Sequence, residues 1–187
     1  LNPGFLDACR EIGTRAVTPV EFHFMTGVPS GLQFDHLRNV VVRAVPGAVV
    51  HDFHGYAEYL ARVNQSDLFL SPFPFGNTNG IVDALTLGLP GVCKRGPEVF
   101  EQIDGALFER VGMPSWTVTD SVEAYIATAV RMIDHLQGID DARERLRKTF
   151  WVTLDYMDKH PAVMMLLFTA VPVSRHQNIR IYESPEL

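Results

Sequence analysis

Cysteine is scarce: Cys9 and Cys93 are the only two in 187 residues. They lie far apart and in no CxxC spacing, which leaves no disulfide framework and no thiol-based zinc site to expect. Reduced thiols in a cytoplasmic protein are the expectation. Basic charge is short as well, with 16 Lys and Arg against 22 Asp and Glu, a net charge of −6. A nucleic-acid partner calls for a basic excess or stripe. The one basic cluster, Arg143, Arg145, Arg147 and Lys148, is interleaved with Asp140, Asp141 and Glu144, and reads as a solvated helix face. Long apolar runs are missing too. The longest, residues 162–171, is about half of what a membrane span requires. The opening residues do not have the pattern of a secretory signal. The sequence also has no P-loop, no GxGxxG, no HExxH and no acidic DxD-type metal site. No Ser-His-Asp order and no internal repeat are visible.

What is present is the material for one packed core, 47% hydrophobic and 20% charged. Asn2-Pro3 caps and starts a helix, with Phe5, Leu6, Cys9 and Ile12 at helical spacing. Strands are expected at 20–25, 48–51, 67–71 and 91–94, with an edge strand at 116–118. Helices are expected at 32–45, 56–64 and 78–87. Another runs over 97–111 with Val99, Phe100, Ile103, Leu107 and Val111 inward. A further helix is capped by Asp120 with Glu123 as its reciprocal partner, and has Val122, Ile126, Ala129, Ile133 and Leu136 inward. A charged helix closes the series at 140–154. Strand and helix alternate five times. That pattern predicts an α/β fold, a Rossmann-like parallel sheet with helices on both faces. The domain is expected to span 1–154, with 155–187 as an extension of no assigned role. The sequence opens on Leu1 directly before a helix start, and is expected to be a piece of something longer.

Ligands in such sheets bind beyond the carboxyl ends of the strands. The segment Pro72-Phe73-Pro74-Phe75-Gly76-Asn77-Thr78-Asn79-Gly80 leaves a hydrophobic strand there and enters a helix. A helix start offers free backbone N–H groups and the positive end of the dipole, which together suit a phosphate. Gly76 and Gly80 allow close backbone approach. Asp83 follows within about a turn and is placed to accept hydrogen bonds from two ribose hydroxyls. A well-capped helix with no ligand explains the same residues equally well on spacing alone. His51 and His54 follow a strand and are candidates for stacking on a base or donating to a diphosphate. His23, inside a strand, is expected to be structural. Lys94 and Arg95 follow the next strand, as phosphate partners or as rim charges. Phe73 and Phe75 are expected as core plugs.

The stretch SPFPFGNTNGIVDALTLGLPGVCKRGPEVFEQIDGALFERVGMPSW, with LNPGFL, FHF and SVEAYIATAVR around it, resembles the bacterial cytoplasmic N-glycosyltransferases that glucosylate high-molecular-weight adhesins. These group with the O-GlcNAc transferases in glycosyltransferase family 41. The resemblance covers about residues 1–137. It implies the C-terminal, donor-binding half of a GT-B enzyme, which pairs two Rossmann-like domains. It implies an inverting reaction without metal or other cofactor, from UDP-glucose or a similar nucleotide sugar to asparagine side chains of an acceptor protein such as an adhesin. The site implied is Asn77, Thr78, Asn79, Gly80 and Asp83, with His51 and His54 beside it. No catalytic residue falls in this stretch, because the family's donor-site lysine precedes Leu-Asn-Pro and the acceptor-side, N-terminal domain precedes that. The family's H-x-H turn reads His51-Asp52-Phe53-His54 here, and Val28 stands where the family has glutamine. An O-linked GlcNAc-type transferase domain and a non-catalytic nucleotide-sugar-binding module are the alternatives.

Overall fold

The computed structural model describes residues 2–137. The expected helix at 140–154 and the extension at 155–187 lie outside the described residues. The order of elements is α1 (Pro3–Arg15), β1 (His23–Met25), α2 (Leu32–Ala44), β2 (Val49–His51), α3 (Tyr56–Val63), β3 (Phe69–Leu70), α4 (Thr78–Thr86), β4 (Gly91–Lys94), α5 (Val99–Arg110), β5 (Val118–Thr119) and α6 (Val122–Gln137). The alternation is the expected one, and every strand pairing is parallel. β1 pairs with β2 in the register His23 to Val49. β4 lies between β3 and β5, with Phe69 opposite Gly91 and Cys93 opposite Val118.

Successive strand residues point to opposite faces, and the core divides accordingly. Phe24, Leu70 and Val92 face one cluster with Phe5 and Ile12 of α1, Val41 of α2 and Tyr125 and Ala129 of α6. Met25, Phe69 and Cys93 face the other side, against Val63 of α3, Ile81 and Ala84 of α4 and Phe108 of α5. Helices therefore cover both faces, as a buried parallel sheet requires.

Two helices are turned differently from their sequence periodicity. In α5 the buried residues are Asp104, Gly105 and Phe108. Val99 is 84% exposed, and Phe100 and Ile103 are exposed as well. The cause is Asp104, whose carboxylate is wanted inside by polar groups of the β3–α4 connection. Gly105 supports the same rotation, since a Cβ there would collide with the Arg95 side chain. In α6 the inward residues are Tyr125, Ile126, Ala129 and Met132, while Val122 is exposed. The helix is capped one residue later than expected. Ser121 Oγ accepts the Ala124 N–H at 3.1 Å, and Glu123 pairs with Arg15 at 2.6 Å instead of closing a capping box.

Tyr125 is fully buried, and its hydroxyl donates to the Ser71 carbonyl at 3.0 Å. This bond fastens α6 to the end of β3. Tyr125→Phe is expected to destabilise the fold by about 1 kcal/mol, the usual net worth of one hydrogen bond, as read from the urea midpoint at unchanged slope.

Candidate functional site

The β3–α4 connection is held from three sides. The Phe73 ring is buried edge-on to Phe5 and to Tyr125, with ring centres 5.6 and 5.2 Å apart. The Asn2 side-chain amide, at the start of α1, donates to the Phe73 carbonyl. The third anchor is Asp104, only 5% exposed. Its carboxylate accepts from the Ser71 hydroxyl, the Asn77 N–H (3.0 Å) and the Thr78 hydroxyl (3.4 Å). Gly76 sits over this carboxylate with φ +70°, and any Cβ there would run into it. Asn77 then caps α4 by accepting the Gly80 N–H at 3.2 Å. The Thr78 and Asn79 N–H groups make no hydrogen bond among the described residues. They stand at the positive end of α4 and remain free to donate.

The sequence reading passed over Asp104. The apolar periodicity of α5 points to the face of Val99, Phe100, Ile103, Leu107 and Val111, and only the observed rotation places Phe108, and Asp104 four positions earlier, inward. A carboxylate on that face needs hydrogen-bond donors, and the loop supplies them.

Beside the free N–H groups opens a pocket of about 430 Å3 at the carboxyl ends of the strands. Its walls are Met25 at the end of β1 with Thr26 and Gly27 after it, Asp52, Phe53 and His54 after β2, Tyr56 and Tyr59 of α3, and Asn77, Asn79, Gly80 and Asp83 of the α4 start. The two loops are tied to each other. Thr26 Oγ1 donates to the His51 carbonyl, and the Phe53 N–H donates to the Val28 carbonyl, each at 2.8 Å. Asp83 accepts the Tyr56 hydroxyl at 2.7 Å. This bond raises the Tyr56 phenol above its usual range. Burial, with the neighbouring Asp83 charge, pushes Tyr59 up to about 12. Both phenols thus stay protonated as hydrogen-bond donors toward the Asp83 carboxylate.

Of the sequence-predicted residues, Asn77, Asn79, Gly80, Asp83 and His54 line the pocket together. Thr78 is not among the lining residues, although its neighbours Asn77 and Asn79 are, and its hydroxyl is turned to Asp104. His51 stands outside the lining, and both of its ring nitrogens are engaged. Arg62 lies 3.1 Å from Nδ1, and His23 Nδ1 lies 3.0 Å from Nε2. A guanidinium has only donors, so His51 Nδ1 accepts and its Nε2–H donates to His23. His23 then donates from its own Nε2 to Glu21 at 2.6 Å. His54 is held between Asp52 (3.1 Å) and Glu58 (3.5 Å). Lys94 bends over the Phe73 ring and donates to the Arg95 carbonyl, and Arg95 pairs with Glu109. Neither cation lines the pocket. Phe73 is the expected core plug, but Phe75 is 77% exposed and stacks on Phe100.

Asp104→Ala leaves the Ser71 hydroxyl and the Asn77 N–H without their acceptor. A loss of about 2–3 kcal/mol in denaturant unfolding is expected, the scale for hydrogen bonds to a charged group. Burial, followed by the Arg62, His23 and His54 charges, lowers the His51 pKa from 6.5. The unfolded chain therefore takes up this proton at higher pH than the folded chain. The His51 contribution to stability is complete above 6.5 and is lost as pH falls through the lowered folded value. An NMR titration of the His51 ring should show a midpoint below 6.5; a midpoint above it contradicts the assignment of donors.

No family model matches the chain. Over 138 residues, 73% of its length, it is 42% identical to the UDP-glucose:protein N-β-glucosyltransferases of Actinobacillus pleuropneumoniae serotype 5b (strain L20) and serotype 7 (strain AP76). The match covers 22% of the length of those proteins. Among solved structures, the Thermobaculum terrenum O-GlcNAc transferase, as a lysine-to-methionine mutant, superposes with a TM-score of 0.66 at 20% identity, over 91% of this chain and 35% of that one. The second likeness is one of fold. Over the matched 138 residues the chain is homologous to the UDP-glucose:protein N-β-glucosyltransferases, the glycosyltransferase relationship implied by the motif around Asn77, on an α/β fold shared with the O-GlcNAc transferase.

Proposed function

We propose that this chain is the donor-binding domain of an inverting, metal-independent glycosyltransferase of GT-B architecture, working in the cytoplasm. It transfers glucose or a related hexose from its UDP carrier to asparagine side chains of a protein acceptor such as an adhesin. The observation that carries this reading is a single pocket in which the free N–H groups of the α4 start meet the Asp83 carboxylate. A nucleoside diphosphate has both complements. Its phosphates suit the Thr78 and Asn79 N–H groups and the helix dipole. Its ribose hydroxyls suit the Asp83 carboxylate, whose two oxygens have about four acceptor sites, more than Tyr56 and Tyr59 use.

In the reaction the acceptor amide nitrogen attacks the anomeric carbon opposite the diphosphate. The bond from that carbon to the phosphate oxygen breaks, and its electron pair leaves with UDP. The amide proton passes to a base outside this chain. The contribution of this domain is to hold the diphosphate and to stabilise the charge that grows on it, through N–H donors already in place. Charge stabilisation by backbone groups suits a reaction that uses no metal ion. The acceptor is assigned as asparagine because the relatives at 42% identity are named N-glucosyltransferases, whereas the O-GlcNAc transferase likeness stands at 20%.

Calorimetric titration with UDP is expected to show binding that Asp83→Ala weakens by about 1–3 kcal/mol, the cost of losing hydrogen bonds to a charged group. Unchanged affinity in a folded Asp83→Ala variant removes the ribose role. The chain by itself is expected to transfer no sugar, since none of its residues is assigned to activate the acceptor. Turnover of UDP-glucose onto an Asn-x-Ser/Thr peptide by this chain alone contradicts that division of labour.

A further inference from the structure

Asn64 is the one asparagine of the chain that opens an Asn-x-Ser/Thr triplet, Asn64-Gln65-Ser66. That triplet is the general acceptor pattern for sugar on asparagine, and it serves only where the polypeptide lies at the surface. Here it follows directly on α3 and leads into β3. Asn64 and Gln65 are exposed, and Ser66 is half-buried. Among the described residues neither the Asn64 carboxamide nor the Ser66 hydroxyl makes a hydrogen bond. Both polar groups of the triplet are therefore open to a partner.

The backbone that carries them is the weak end of a helix. The Asn64 N–H donates to the Leu60 carbonyl at 2.9 Å, the Gln65 N–H to Arg62 at 3.1 Å and the Ser66 N–H to Val63 at 3.0 Å. The last two span three residues and close α3 in a tight final turn. Such ends fray at small cost. The fixed points lie on either side. Val63 is buried with Ala84 and Leu89, and Leu68 packs against the larger apolar cluster. The triplet between them can leave its turn and extend into another protein's cleft without opening the core.

The position of Asn64 also decides which molecule delivers the sugar. The pocket beside α4 is bordered by Tyr56 and Tyr59, in the first turn of α3. Asn64 stands beyond the other end of that helix, roughly 12 Å along the axis from Tyr56 at 1.5 Å per residue, and it does not line the pocket. A helix cannot carry its own far end back to a pocket at its start. Transfer to Asn64 is therefore between molecules.

We propose that Asn64 is a glucosylation site, modified in trans by an N-glucosyltransferase of the kind this chain resembles. The Asn64 amide nitrogen attacks the anomeric carbon of a nucleotide-linked glucose. The bond from that carbon to the phosphate oxygen breaks, its electron pair leaves with UDP, and the amide proton passes to a base of the transferase. The inference rests on asparagine as the acceptor in the proposed function, but it treats this chain as substrate and does not require its own pocket to hold a nucleotide.

The folded chain, incubated with UDP-glucose and the Actinobacillus pleuropneumoniae N-β-glucosyltransferase, provides the test, read by intact mass and peptide mapping. One hexose is expected, on the peptide that contains Asn64. Asn64→Gln and Ser66→Ala are expected to abolish it, and Ser66→Thr to retain it. A synthetic peptide of residues 60–70 is the second acceptor, and separates recognition of the triplet from its presentation by the fold. Hexose on the peptide but not on the folded chain overturns the proposal, because the fold then shields the site. So does an absence of hexose on both while an unrelated Asn-x-Thr peptide is consumed in the same reaction, and so does hexose elsewhere on the chain with Asn64 bare. UDP titration of the chain is read separately. A chain that takes hexose at Asn64 and binds no UDP upholds this assignment and sinks only the donor-site reading.

Discussion

The arrangement of the candidate site depends on one buried carboxylate. Asp104 sits on α5 with almost no exposure and takes its hydrogen bonds from Ser71, Asn77 and Thr78. An ionised carboxyl group is expensive to bury unless donors surround it. Here the donors are the last residue of a buried strand end, the cap of α4 and the first residue of α4. Satisfying the carboxylate therefore sets the course of the whole connection. It explains why Gly76 must lack a Cβ, and why α5 is rotated so that Val99, Phe100 and Ile103 face outward. It also leaves the Thr78 and Asn79 N–H groups without a partner among the described residues.

Outside the pocket lining, β1 and β2 are joined by a second polar chain. Arg62, His51, His23 and Glu21 form a line in which each donor has one acceptor, and the Arg62 guanidinium sets the direction of every proton in it. His51 is consequently a neutral spacer that orders the β1 and β2 ends. On the proposed function, charge on a bound diphosphate falls to the helix start, because Lys94 and Arg95 are occupied by Phe73 and Glu109. Asp83 sits about a turn further along α4, a position that on the same proposal keeps its negative charge for sugar hydroxyls and away from the phosphates.

Much of this was readable from sequence because it is local. The alternation of strands with helices, the Asn77 cap, the glycines and the position of Asp83 all follow from short-range periodicity and turn chemistry. The rotation of α5 was not readable in that way. Its apolar residues outnumber its buried ones, and the deciding partner, Asn77, lies 27 residues from Asp104. His51 was misleading for a related reason. Its partners Arg62 and His23 come from α3 and β1, 11 and 28 residues away, and position after a strand says nothing about them. The shift of the α6 cap from Asp120 to Ser121 is a one-residue ambiguity between two good capping residues. The division of the strands into two sheets has no local signature at all.

The central claim is that a nucleoside diphosphate binds on the N–H groups of the α4 start. Amide chemical shifts followed during titration with UDP test it most directly. The account predicts large, saturable shifts at Thr78, Asn79 and Gly80, with smaller ones at Gly27 and Phe53 across the pocket. Shifts absent from the α4 start while other residues respond would contradict it, and would leave this turn as a well-capped helix held in place by Asp104.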